Sequence, residues 1–478
     1  MSNETYLVGI AREDITPPVG IALAGYGVRE GVSTGVDEPL SVTALVLEGE
    51  GGRVALVAID WVLAHLPYAQ AMRDACAQAL GTSASNVLIN FSHSHSTPPP
   101  PGWSPFDSPV QLRMQAEWAD GVLAATARAC RRAAEARQPA RLATGWGECR
   151  ANINRRQRTA DGSVLLGEDP QAPTDHSVGV LRVDDLTGRP LAVAFRYSCH
   201  TVTLGPRTHV ISPDFAGPAR AVVEQGLDCP ALFFQGCAGN QNPITGIGSD
   251  ATGLEDTNRV GHMIGSEVLK VCATLRTHRR RCAPRLIRSV AVYWLYEYEP
   301  VPPGTPGAVR AGETSLTLPL VPFPPLAEVE KEAGEWRQRQ AEAIRRGAPE
   351  SERNLNQRFT CWAERRLAAA REGPNPLRVT FPVQVLRVGP LTVVGLPFEA
   401  MAETGNELRA ASPAADTWVL GFCNGVVSYL PTLAISAEGG MEARLGYKSY
   451  LLQSEIPGDW EPRVRAAALS QIETLSPS

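Results

Sequence analysis

The sequence contains no uninterrupted apolar run of the roughly 18 residues that a membrane-spanning helix needs. Its most apolar stretch, residues 54–66, is broken by Asp60. The start of the chain, residues 1–9, has neither the basic region nor the longer apolar region of a secretory signal peptide. These absences predict a soluble chain without a membrane span, and we expect a cytoplasmic protein.

Cysteine pairs of the CxxC type are also absent, because the ten cysteines are scattered singly. This pattern predicts buried or loop thiols in a reducing compartment. No strongly basic run interleaved with aromatic residues stands out, and 45 basic against 50 acidic residues give a net charge of −5. Nucleic acid is therefore not expected as a partner.

Solenoid repeats and long Ser- or Gly-rich linkers are missing as well, which favours one large domain. Short apolar runs near Gly or Pro predict strands at 41–47, 53–61, 86–92, 190–198, 231–234, 287–296, 379–388 and 391–396. Apolar spacings of three and four predict helices at 68–80, 112–136, 217–225 and 258–275. Two charged stretches, 326–346 and 354–371, predict a helical hairpin. The alternation is typical of an α/β fold of layered β-sheets flanked by helices.

Histidines follow two of the predicted strands. His93 and His95 lie in segment 90–96 (NFSHSHS), and alternate strand residues share one face, so both imidazoles could point to one spot. His200 follows a second apolar strand. Such imidazoles fit a zinc site or a proton-transfer site. Two solvated histidines at a polar strand end, and a structural role for His200, stay open as alternatives.

A glycine-bearing loop, 235–243 (QGCAGNQNP), follows a third strand and would let the backbone approach a ligand closely. It lacks the Lys-Ser/Thr pair of a phosphate loop. Cys237 could act as a nucleophile, or it could simply pack among small residues. Taken singly, Arg155, Glu399 and Tyr429 fit a surface cation, a solvated carboxylate and a half-buried aromatic residue.

Several segments form a pattern when they are taken in order. They are 9–17 (GIAREDITP), 25–27 (GYG), 92–96 (SHSHS), 152–155 (NINR), 199–200 (CH), 396–400 (LPFEA), 428–430 (SYL) and 438–440 (EGG). This order resembles that of the neutral ceramidase family, zinc-dependent amidases that cleave the N-acyl bond of ceramide. The resemblance runs from about residue 9 to about residue 450.

The resemblance implies a zinc ion bound by His93, His200, Glu399 and Tyr429, with His95 and Arg155 close to the reacting carbonyl. Zinc would lower the pKa of a bound water to roughly 7. His95 would carry a proton from that water to the leaving amine. Arg155 would bind a substrate carbonyl or carboxylate, and Tyr429 or the metal would support the developing oxyanion.

The chain departs from the family at the segment Gly-Asp-x-Ser-Pro, whose serine is proposed to take part in catalysis. It has Gly-Asn-Gln-Asn-Pro at 239–243, so Asn242 stands in the place of the serine and could offer its amide to the substrate. The missing hydroxyl favours attack by water on a small-molecule amide other than ceramide. Many secreted members also carry a signal peptide and a C-terminal β-sandwich domain, which we expect this chain to lack.

We therefore expect a single ceramidase-like catalytic domain over residues 1–478, with the region 300–372 as a lid or an inserted helical hairpin. Two other functions stay open. One is acyl transfer or hydrolysis that depends on Cys237, and the other is non-catalytic binding of a metal and an amide ligand. The acyl and amine parts of the substrate, a linear or cyclic amide, and the oligomeric state are not determined by the sequence.

Overall fold

The computed structural model describes residues 3–103, 107–248, 252–302, 304–373 and 377–476. Its strands are, in chain order, β1 (Tyr6–Asp14), β2 (Gly35–Val36), β3 (Ser41–Gly49), β4 (Gly52–Ile59), β5 (Val87–Phe91), β6 (Gln138–Glu148), β7 (Asn152–Arg158), β8 (Val164–Asp169), β9 (Ser177–Asp185), β10 (Pro190–Tyr197), β11 (Val210–Ile211), β12 (Ala231–Gln235), β13 (Gln241–Pro243), β14 (Arg279–Arg281), β15 (Arg285–Arg288), β16 (Val292–Leu295), β17 (Tyr298–Pro300), β18 (Val309–Pro319), β19 (Arg378–Val388), β20 (Leu391–Gly395), β21 (Glu399–Ala400), β22 (Asp416–Leu420) and β23 (Tyr429–Leu430).

Its helices are α1 (Leu66–Leu80), α2 (Pro109–Glu135), α3 (Ala216–Leu227), α4 (Gly253–Thr274), α5 (Leu326–Arg345), α6 (Glu350–Glu372), α7 (Ala402–Ala411), α8 (Leu433–Glu438), α9 (Met441–Arg444), α10 (Gly446–Ser449) and α11 (Trp460–Leu475). No helix in the described ranges is both long enough and apolar enough to cross a lipid bilayer.

The main sheet has eight strands in the order β12-β10-β9-β6-β1-β3-β4-β5. Strands β4 and β5 are parallel, as are β10 and β12, and the other neighbours are antiparallel. Side chains of β4 alternate between two apolar layers, because successive residues of a strand point to opposite faces. Leu56 packs in the layer on one face, and Val57 packs in the layer on the other.

A second sheet, in the order β18-β19-β20-β22, packs on one face of the main sheet. Leu88 and Phe234 from the main sheet meet Val393 and Trp418 from the second sheet in this layer. Helices α1 to α4 cover the other face of the main sheet, and α7 and α11 cover the second sheet. The result is a layered α/β fold with helices outside and two sheets inside, which confirms the predicted fold class.

The two edge strands of the main sheet, β5 and β12, are joined by side-chain amides. Asn90 Nδ2 donates to the carbonyls of Gln235 (3.1 Å) and Gly421 (2.8 Å), and its Oδ1 accepts from the backbone of Gln235 (2.7 Å). The side chain of Gln235 donates to the carbonyls of Ser92 (3.1 Å) and Cys199 (2.7 Å) and accepts from the Cys199 amide (3.2 Å). Two side chains therefore bring together the loops that leave β5 and β10.

Most predicted elements are present with shifted ends, including the helical hairpin, whose second helix begins at Glu350. The single strand predicted at 287–296 is wrong. The chain reverses at 289–291 and forms β15 and β16. The prediction merged the end of β15 with β16, because Ile287 and most of residues 290–296 are apolar. Strands β1, β6 to β9, β18 and β22 were not predicted, because glycine, charged residues or exposed positions interrupt their apolar pattern.

Candidate metal centre

Three segments that are distant in the sequence meet beyond the ends of β5 and β10. His93 lies two residues after β5, His200 lies three residues after β10, and Glu399 begins β21. Each of these residues is 3% exposed or less. Strand β21 pairs in parallel with β23, in register Glu399 to Tyr429, so the tyrosine begins the neighbouring strand. The expectations of solvated histidines and a solvated carboxylate are wrong, because the layers of the fold bury them.

The expectation that strand alternation points the rings of His93 and His95 to one spot is also wrong. Strand β5 ends at Phe91, and His93 has a left-handed backbone with φ of 63°, so strand alternation does not orient the rings. Histidine tolerates this region better than most residues with a side chain. Phe422, itself left-handed with φ of 52°, places its ring 4.3 Å from that of His93. A turn held by packing therefore sets the position of His93.

Hydrogen bonds define the protonation of two of the imidazoles. His93 Nδ1 lies 2.7 Å from the carbonyl of Val62, and His200 Nδ1 lies 2.6 Å from the carbonyl of Ala238. A carbonyl oxygen only accepts, so each Nδ1 carries a proton and donates it. Burial lowers the pKa of His93 to about 4 and lowers that of His200 well below its usual value, so both rings are neutral at pH 7. Each Nε2 therefore presents a lone pair.

These lone pairs face a carboxylate oxygen. Glu399 Oε2 lies 3.2 Å from His200 Nε2 and 3.5 Å from His93 Nε2, and it is buried without a hydrogen-bond partner. Acceptors this close repel one another unless a cation lies among them. Ligand atoms around a tetrahedral zinc ion, at about 2.0–2.1 Å from the metal, are about 3.3 Å apart. The donor set and its spacing therefore fit a divalent metal ion.

His95 joins the same group. Within the described part of the chain, the ligand atoms of His93, His95 and His200 all lie within 4.8 Å of one another. His95 Nε2 is 3.2 Å from His93 Nε2, while its Nδ1 is buried without a partner. Its ring packs against Tyr26, with centroids 4.9 Å apart, and against Gly25, where any Cβ would overlap the ring. Burial, followed by the neighbouring imidazoles, lowers the pKa of His95 well below its usual value.

Arg155 and Tyr429 lie beside this group and are buried, so the predicted surface cation and half-buried aromatic are wrong. Arg155 Nη2 donates to Tyr429 Oη (3.2 Å), and Nε donates to Glu442 Oε1 (3.0 Å). Arg156 Nη1 also donates to Glu442 (2.6 Å). Burial alone would lower the pKa of Arg155, but Tyr429, Glu442 and Glu399 outweigh it and raise the pKa. Arg155 is therefore a permanently charged group at the edge of the site.

Asn242 also reaches this arginine, since its Oδ1 accepts from Arg155 Nη1 at 3.4 Å. Asn242 lies in β13, which pairs with β7, the strand that carries Arg155. Cys237, by contrast, is buried in the apolar layer of the second sheet. Burial raises the pKa of its thiol to about 12, which favours a packing role and not that of a nucleophile.

The sequence did not predict Glu442 or Tyr450. Glu442 lies two residues after the EGG segment (438–440), and this proximity is the sequence feature that could have indicated it. Tyr450 Oη donates to Glu399 Oε1, the oxygen that faces away from the imidazoles. No motif marks Tyr450, whose importance comes from a contact with a residue 51 positions earlier.

The family model "Neutral/alkaline non-lysosomal ceramidase, N-terminal" matches residues 6–279, which is more than half of the sequence. The chain belongs to this ceramidase family.

Curated relatives of this ceramidase-family protein include neutral ceramidases A and B of Dictyostelium discoideum. Each is 26% identical, over 236 and 265 residues that cover 47% and 51% of this chain. The matched regions span only 32% and 36% of those relatives, about a third of their length.

Two solved structures share the fold. One is a ceramidase complexed with C2, with a TM-score of 0.67 over 99% of this chain and 75% of that one. The other is the neutral ceramidase from Pseudomonas aeruginosa, with a TM-score of 0.66 over 100% of this chain and 76% of that one. Both are 17% identical to this chain.

The contact between Tyr450 and Glu399 predicts a measurable effect on metal binding. Tyr450→Phe removes the donor that orients the carboxylate, and loss of such an outer partner weakens metal affinity by about 10- to 100-fold. Titration of the apo-protein against a chromogenic chelator measures this change, and circular dichroism checks the fold. Tyr447→Phe is the matched control, because Tyr447 lies in α10, three residues before Tyr450, and its ring packs against Trp362. Equal affinity in Tyr450→Phe and the wild type would contradict this role.

Proposed function

We propose that this protein is a zinc-dependent hydrolase that cleaves an amide (N-acyl) bond of a small molecule other than ceramide itself. The observation that carries the proposal is the group of imidazole lone pairs that face the unpartnered Oε2 of Glu399, at spacings of 3.2 and 3.5 Å. Membership of the ceramidase family supports amide hydrolysis. The neighbouring arginine and tyrosine supply groups that such a reaction needs.

His93, His200 and Glu399 would hold the ion, with Tyr429 as a fourth ligand. Nitrogen and oxygen donors of this kind suit zinc, and no thiolate is required. A bound zinc ion supplies Lewis acidity, which lowers the pKa of a coordinated water to roughly 7 and polarises a carbonyl group. The backbone carbonyls of Val62 and Ala238 hold the two rings so that each Nε2 faces Glu399.

His95 moves the proton in this proposal. Its Nε2 points into the site, 3.2 Å from His93 Nε2, so this nitrogen takes up the proton, whereas Nδ1 is buried without a partner to exchange with. Burial keeps the ring neutral, which is the form that accepts a proton from the attacking water. The same proton then passes to the leaving nitrogen of the amide.

Arg155 and Tyr429 bind the carbonyl end of the substrate. The arginine is held from behind by Glu442, and its Nη2 lies against the tyrosine hydroxyl. A preorganised donor at the developing oxyanion is worth roughly 3 kcal/mol. Asn242 offers no hydroxyl nucleophile, so attack falls to water, and its contact with Arg155 supports a role for its amide in binding the substrate.

We also propose that the chain forms one catalytic domain in which the hairpin α5–α6 acts as a lid. Arg358 of α6 donates to the carbonyls of Trp103 (3.0 Å) and Ser449, and its guanidinium stacks 4.8 Å from the Trp103 ring. Trp103 in turn packs against Tyr450, the partner of Glu399.

Burial of the site supports this role for the hairpin. The proposed ligands are at most 5% exposed, and movement of the cover would open a path to them for a substrate.

Replacement of Glu399, the proposed carboxylate ligand, tests whether the site binds zinc. Glu399→Gln should weaken zinc binding by at least about tenfold and abolish hydrolysis of N-acyl amines, because a neutral amide is a poor ligand. Elemental analysis and a panel of N-acyl amines and lactams measure both effects. Glu403→Gln, which changes a neighbouring carboxylate bonded to Asn240, is the matched control and should keep its metal.

A Glu399→Gln variant that stays active and metal-loaded would reject the ligand set. Chelation should inactivate the wild type, whereas Cys237→Ser should stay active. The opposite pattern favours the thiol route. A wild-type protein that is stabilised by metal and amide but releases no product favours a binding protein.

The role of His95 separates proton transfer from metal binding. His95→Ala should keep its metal but lose about 10²- to 10⁴-fold in kcat, the usual contribution of a positioned acid–base group. Added imidazole should restore part of the turnover. Normal kcat would remove His95 from the reaction, and loss of the metal would make it a ligand instead.

Removal of the contacts that Arg358 makes with Trp103 and Ser449 tests whether the hairpin α5–α6 is a lid. Arg358→Ala removes two hydrogen bonds from a charged group, so the open state should become at least about tenfold more populated. Faster tryptic cleavage at the exposed 345–347 turn and a changed kcat/KM should follow. Arg337→Ala, which breaks an exposed ion pair with Glu364 in the same hairpin, is the control. Unchanged turnover of fully nicked enzyme would count against a lid.

A further inference from the structure

One segment of the chain lies outside the layers of the fold. Residues Arg279–Pro300, here named the arm, form a long hairpin in which β14 pairs with β17 and β15 pairs with β16. Within the described ranges these four strands pair with no other strand. At its base, the Val301 carbonyl accepts from Arg141 Nη2 (2.9 Å) and the Val301 amide donates to His278 (2.9 Å). The arm is therefore fixed at its root and extends up to about 35 Å.

No residue of the arm is buried, although its sequence is rich in large apolar side chains. Val292 is 67% exposed and Trp294 is 54% exposed, and both lie on one face of the β15–β16 ladder with Leu286. Ile287 and Tyr293 pair on the opposite face. Both faces are thus apolar and uncovered, whereas an isolated two-stranded hairpin is marginally stable in water at best. Such a contiguous exposed patch is typical of an interaction site.

The charge of the arm is opposite to that of the rest of the chain. The arm carries five arginines and two glutamates, a net charge of +3, so the remaining residues carry −8 of the total of −5. The arginines lie in the first half of the arm and the aromatic residues in the second, so strand pairing brings them side by side. Arg281 stacks on Tyr296, with its guanidinium carbon 3.7 Å from the ring centroid. Arginine and aromatic residues are the types enriched at protein–protein interfaces.

We propose that the arm docks on the acidic body of a second copy of this chain and forms a homodimer or a larger homo-oligomer. The apolar faces of the arm become covered, and its arginines meet the negative surface of the partner copy. Charge complementarity of this kind guides association and fixes orientation. The docking is separate from the metal centre and holds whether or not the proposed reaction is correct.

A lipid surface and nucleic acid fit the observations less well. The turn at 289–291 (SVA) carries one large apolar side chain, Val290, and no aromatic residue, and the aromatic side chains lie along the strands on both faces, so the arm presents only a small apolar tip to a membrane. An anionic membrane or a nucleic acid would also repel the body with its charge of −8.

Sedimentation velocity of the full chain over a concentration series tests the proposal. The wild type should sediment as a dimer or larger species, and the double variant Val292→Glu/Trp294→Glu should dissociate at least about 30-fold more readily. The matched control is Val110→Glu/Leu433→Glu, which places charges at two equally exposed apolar positions outside the arm. Thermal unfolding confirms that each variant folds, which is expected because the arm packs on no core.

A second pair of substitutions tests the charge separately. Arg285→Glu/Arg288→Glu should weaken association while leaving the apolar side chains in place, and added salt should weaken the wild-type oligomer. A wild type that is monomeric throughout the series overturns the proposal. If the protein is monomeric and floats with vesicles of phosphatidylcholine and phosphatidylglycerol, and the arm variants do not, the arm binds membranes instead. Equal dissociation of the control variant would show that the arm is not the contact.

Discussion

The candidate metal centre depends on two buried amides that join the edge strands of the main sheet. Asn90 bonds to both edge strands, and Gln235 bonds to the residues immediately before His93 and His200. A buried amide left without partners is costly, so these contacts are made together or not at all. The hydrogen bonds of Asn90 and Gln235 between the two edge strands therefore set the relative position of the His93 and His200 imidazoles.

Around this point the protein arranges buried charge in pairs. Glu442 accepts hydrogen bonds from two arginines. Tyr450 donates to one oxygen of Glu399, and the other oxygen faces two imidazole lone pairs. Burial alone would raise the pKa of Glu442, but Arg155 and Arg156 lower it. Glu442 is thus compensated by two arginines, whereas Glu399 Oε2 has no partner. A divalent cation is the species that would complete this pattern.

The hairpin α5–α6 connects this pattern to the surface. Trp362 of α6 is buried against Tyr447 and Leu451, so the helices pack on the segment that contains Tyr450. Any movement of the hairpin changes the packing around the hydroxyl that orients Glu399. With the hairpin as the proposed lid, access to the site and the orientation of Glu399 would be coupled through one short segment.

The sequence determined the layered α/β class, because strand and helix periodicities are local, and its motifs marked His93, His200, Glu399 and Tyr429. It did not reveal the strands with interrupted apolar patterns or the turn that separates β15 from β16. Nor did it indicate Gln235, Glu442 and Tyr450 as parts of the site. Glu442 meets an arginine 287 positions away, and only the packed layers bring such residues together. Short motifs supply the chemical groups, whereas long-range packing decides their protonation, their burial and their distances.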